Sequence, residues 1–67
     1  MYIVIELQKN ADGMVSNLVT SHNTLADAES KYYSILASAA VSKVPVHSAI
    51  IVSEEGFPVR NQCYKHQ

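Results

Sequence analysis

The sequence predicts an α+β domain of ββαββ order, with one helix packed on one face of a four-stranded antiparallel sheet. Three observations carry that expectation. Four short runs have the β-branched or alternating character of strands. The first two are separated by Asp12-Gly13 and the last two by Glu54-Glu55-Gly56, which are turn signals. The stretch between the pairs has apolar residues at helical spacing and neither glycine nor proline.

Tyr2 to Gln8 is β-branched at its start and alternates apolar with polar towards its end, so it reads as a strand. A loop over residues 10 to 13 leads to a second, weaker strand from Val15 to Ser21. That loop pairs Lys9 with Met14, which sets Ile5 opposite Leu18 and Val4 opposite Val19. Apolar residues then meet on both faces, which favours this register over a slip of one residue. Thr24 is a good N-cap, and Asp27 suits the positive end of a helix. The helix runs from Leu25 to about Ser42, with Ala28, Tyr32, Ile35, Leu36, Ala39 and Ala40 on one face.

Val44-Pro45 stops the helix, because a residue before proline avoids helical angles. Val46 to Ser53 forms a third strand, and Phe57 to about Lys65 a fourth. Pro58 removes a ladder donor and places this last strand at an edge. The turn allows either Ile51 or Val52 opposite Val59. The apolar first strand belongs in the middle, which favours the order 2-1-3-4.

At 67 residues the chain is one domain. A chain of this length buries only about 60% of its unfolded surface, so its core needs a supplement. Cys63 is the only cysteine, which excludes an internal disulfide. Cys63, His22, His47 and His66 are too dispersed for a zinc cluster, and the histidines read as surface residues. Association is the supplement that remains. A single helix covers one sheet face, yet both faces are apolar: Ile3, Ile5, Leu7 and Leu18 on one, Tyr2, Val4, Val15 and Val19 on the other. Uncovered apolar faces mark interfaces, so a homo-oligomer is expected.

Composition excludes several functions. Net charge is −1, and the five cations are scattered, so there is no basic stripe for nucleic acid. Apolar runs such as Ala49 to Val52 are far too short to cross a membrane. No basic region precedes the first apolar stretch, so no export signal is expected; with one free cysteine, this points to the cytoplasm. Cys63 with His66, or a serine with His47, has no nucleophile elbow or oxyanion loop around it, so no catalytic residue is assigned. No cofactor is implied. Glu54 and Glu55 read as a solvated turn, and Ser21 to Thr24 as a capping segment that could also meet an anion.

Two segments suggest binding. Lys31-Tyr32-Tyr33 offers a core tyrosine flanked by a stacking ring and a cation. Small residues from Ala37 to Ala40 allow close backbone approach, and Pro45 stiffens the loop into His47. The candidate ligand-binding residues are Lys31, Tyr33, Lys43, His47 and Arg60, with the cations for phosphates and Tyr33 for stacking.

Several stretches carry a resemblance: Met1 to Gln8, the Asn10 to Gly13 turn, Ala28 to Tyr32, and Leu36 to Ser48. In these the chain resembles short proteins encoded by phages and prophages of Gram-positive, often gut, bacteria. The resemblance names an origin, not an activity. It implies a non-enzymatic counter-defence protein of the host cytoplasm. In its specific form this is an oligomeric sponge for a cyclic nucleotide-type immune signal, or else a binder of a host defence protein. The alternative is a phage structural or assembly module, or an adaptor to a host protein.

Overall fold

The computed structural model describes residues 1–66 and has the expected architecture. Strands β1 (Tyr2–Lys9), β2 (Val15–His22), β3 (Val46–Ser53) and β4 (Pro58–Lys65) form one antiparallel sheet in the order β2-β1-β3-β4. Helix α1 (Leu25–Val41) connects β2 to β3 and lies on one face. Thr24 caps it as its sequence suggests, accepting a hydrogen bond from the Asp27 backbone at 3.2 Å. No helix is long and apolar enough to cross a membrane.

The β1–β2 register differs from the expected one by one residue. Lys9 pairs with Val15, Ile5 with Val19, and Val4 with Thr20. The cause is the loop. Just past the ladder the Asn10 N–H donates to the Met14 carbonyl at 2.8 Å, which leaves only Ala11, Asp12 and Gly13 between them. A three-residue connection of this kind needs a left-handed residue at its end, and Gly13 supplies it at φ +89°. The β3–β4 turn repeats the design, with Ser53 bonded to Phe57 and Gly56 at φ +93°.

After this second turn neither expected pairing of Val59 occurs. Val52 pairs with Pro58 and Ile51 with Arg60, so a bulge leaves Val59 without a ladder partner. A bulge on an edge strand that already carries proline blunts that edge against further pairing.

The register decides which side chains share a face. Tyr2, Val4, Glu6, Leu18, His47, Ala49 and Ile51 point to the helix side. Val4, Ala49 and Ile51 pack there against Ala28, Tyr32 and Ile35. Leu36 packs at the margin of this cluster, and Ala40 is exposed, outside the core it was expected to join. Leu18 therefore leaves the set assigned to it above, and Val15 and Val19 join Ile3, Ile5 and Leu7 on the open side. Ile50 and Val52 extend the same apolar surface.

Candidate functional site

Two places gather polar chemistry, and they lie on the helix side of the sheet. The first is buried. His47 is only 3% exposed, which corrects its reading as a surface residue. Alternation on β3 turns it inward below the end of α1, opposite Gln8 on β1. Its Nε2 lies 2.6 Å from Glu6 Oε2, and its Nδ1 lies 3.1 Å from Ser42 Oγ. Because the Glu6 carboxylate accepts only, Nε2 carries the proton. Gln8 Nε2 donates to the same oxygen at 3.2 Å.

Ser42, His47 and Glu6 thus form a hydroxyl–imidazole–carboxylate relay, the residue types of nucleophilic catalysis. Their location opposes that use. Ser42 is the C-cap of α1, where helix carbonyl oxygens converge at the negative end of the dipole. A developing oxyanion needs N–H donors, the reverse of this environment. The relay instead ties β1, β3 and the helix end together. His66 adds a second tie, donating from Nε2 to the Ala39 carbonyl at 2.7 Å.

The second place is an open groove of about 570 Å3 between α1 and β4. Tyr32, Tyr33 and Leu36 contribute from the helix; Val59, Arg60, Asn61, Gln62 and Tyr64 contribute from the strand. Tyr33 projects beside buried Tyr32, with the two rings edge to face at 5.1 Å. Burial, reinforced by neighbouring Tyr33, raises the Tyr32 phenol above its ordinary pKa, while Arg60 acts in the opposite direction. On the strand side, the Tyr64 ring lies parallel to His66 at 6.2 Å. Since His66 is held by the helix, Tyr64 is steadied from behind.

Arg60 reaches across to Glu29, with Nε 2.8 Å from Oε2. Both groups retain solvent contact, so the pair contributes at most about 1 kcal/mol and yields to a stronger anion. Rings on two sides, a guanidinium and the Gln62 carboxamide suit a flat aromatic ligand that carries negative charge. Among the described residues, no group of three or more His, Cys, Asp or Glu side chains is placed to hold a metal ion.

Of the five residues singled out by sequence, the groove brings together Tyr33 and Arg60. Lys31 is half-buried on α1, and Lys43 is exposed beyond the helix end; neither lines the groove. His47 is buried with both ring nitrogens engaged, so as it stands it presents no atom to a ligand. Tyr64 and Gln62 were missed. Alternation along β4 could have grouped Tyr64 and Gln62 with Arg60, but only once the strand's inner face was known.

Fold and groove together define a small ββαββ module with a helix–strand cleft. No protein-family model, curated protein or solved structure matches the chain.

Proposed function

We propose that this chain is a non-enzymatic binding module that captures a small anionic nucleotide. In the specific form implied by its phage resemblance, it is an oligomeric counter-defence sponge for a cyclic nucleotide-type signal of the host. The observation that carries the reading is the groove, where Tyr33 and Tyr64 stand near Arg60 and Gln62. A base stacked on one tyrosine gains about 1–3 kcal/mol, and Arg60 offers a fork of donors to a phosphate. The Gln62 carboxamide can address a base edge.

Calorimetry on the full chain with a panel of cyclic dinucleotides and cyclic ADP-ribose isomers tests this. The expected result is saturable binding of at least one ligand, weakened about tenfold or more by Tyr33→Ala and by Arg60→Ala. Silence across the panel overturns the ligand reading. One observation favours the adaptor alternative: Phe57 and Met1 are largely exposed at the end of the sheet that carries the β3–β4 turn. An adaptor would recover a protein partner through that end and bind no nucleotide.

A further inference from the structure

The open face of the sheet has four cross-strand rows. At one end Val15, Lys9, Val46 and Lys65 align; then Asn17, Leu7, Ser48 and Cys63; then Val19, Ile5, Ile50 and Asn61. The last row holds Ser21, Ile3, Val52 and Pro58. Among the described residues, the only charges on this face are Lys9 and Lys65, both in the first row. Beyond the last row lies the turn with Glu54 and Glu55. The β1–β2 turn beyond the first row carries Asp12, so the face has two lysines against one carboxylate at one end and two carboxylates beyond the other. Its centre is uncharged, with Leu7, Ile5, Val19 and Ile50 lying among Asn17, Ser48 and Asn61.

We propose that this face is covered by a second copy of the same chain, with its strands running antiparallel to those of the first. The result is a helix–sheet–sheet–helix sandwich with two-fold symmetry. Area supports the occupant. Strands of eight residues span about 26 Å, and four of them cover about 19 Å across, which is about 500 Å2 of face per copy. Two such faces bury about 1,000 Å2, the size at which a specific interface begins. Two aligned sheets pack about 10 Å apart, and an uncharged centre built on Leu7, Ile5, Val19 and Ile50 suits that spacing.

Charge supports the orientation. With the two-fold axis across the strands, Lys9 and Lys65 of each copy approach the Glu54-Glu55 turn of the other. With the axis along the strands, lysines would stack over lysines. Glu54 already holds the amino terminus at 2.8 Å, which leaves Glu55 as the carboxylate facing the partner's lysines. The association needs no ligand, so it stands apart from the groove reading.

Sedimentation equilibrium of the full chain, without ligand, at tens of micromolar is the test. The expected mass is close to twice 7.4 kDa. Val19 and Leu18 are adjacent on β2 and equally exposed, at 54% and 53%, but point to opposite faces. Val19→Lys should weaken self-association at least about tenfold, because two-fold symmetry buries the new charge twice. Leu18→Lys should leave it within about twofold. Lys9→Glu should also weaken it, and adding Glu55→Lys should restore it. A monomer mass for the unaltered chain overturns the proposal. So does equal damage from Leu18→Lys and Val19→Lys, which would indicate pairing along the β2 edge. A double charge reversal weaker than the single overturns the antiparallel arrangement.

Discussion

The two faces of the sheet differ in a way that inverts the usual expectation. The covered face combines a compact apolar cluster, Val4, Ala49 and Ile51, with a buried polar relay of Glu6, His47 and Ser42. The uncovered face has no such relay and carries Ile3, Ile5, Leu7, Val19, Ile50 and Val52. Packing drives the covered face, and the relay positions the helix end upon it. The open face carries its apolar set among Asn17, Ser48 and Asn61, with no second layer upon it. A marginal 67-residue chain gains most from supplying that layer with itself.

Adjacent residues on β3 offer the sharpest break. Ile51 is fully buried, and Ile51→Ala should cost about 2–5 kcal/mol at any protein concentration. Ile50 faces the open side, so Ile50→Ala should cost about 1 kcal/mol in dilute solution and approach the Ile51 value when the protein is concentrated. Urea unfolding at two concentrations checks both. Equal, concentration-independent costs would erase the difference between the faces.

The relay comes next. His47→Leu leaves the Glu6 carboxylate partly buried with only Gln8 beside it, and should cost about 3 kcal/mol in urea unfolding. Replacing both partners, Glu6→Leu with His47→Leu, should recover most of that loss, because the desolvated charge is gone. A double variant as unstable as the single would mean that the relay is not a clamp but an indispensable part of the fold.

Smaller effects concern the groove at the margin of the covered face. Glu29→Gln releases Arg60 and removes a competing carboxylate, so anion affinity measured by calorimetry should rise about two- to fivefold. The smallest effect is alkaline. The Tyr32 pKa is raised in the folded protein above its ordinary value of 10.0, so the unfolded chain loses this proton first. The resulting stability is complete below about pH 10 and is lost as pH rises through the folded value. Tyr32→Phe should flatten that decline in a pH series of thermal melts.

The element order, the strand order and the N-cap at Thr24 were legible because each rests on local chemistry: alternation, turn residues and a hydroxyl before an apolar repeat. The β1–β2 register was not. Asp12-Gly13 marks a turn, but a three-residue and a four-residue loop share that signature, and the choice reassigns Leu18 and Val19 to opposite faces. Gly13 as the last loop residue was the clue, since a left-handed position closes the shorter loop. The burial of His47 was invisible because its partner Glu6 lies 41 positions away, although a carboxylate within an apolar strand hinted at a need. Tyr33 and Arg60 could be named singly; that they face one groove depends on β4 packing beside the helix.

The central claim is that the open face is half of a core. Its most direct test is the urea midpoint of the unaltered chain as a function of protein concentration. If a second copy completes the fold, a tenfold increase in concentration raises the midpoint by about several tenths of a molar. A midpoint that stays constant from sub-micromolar to hundreds of micromolar would contradict the account.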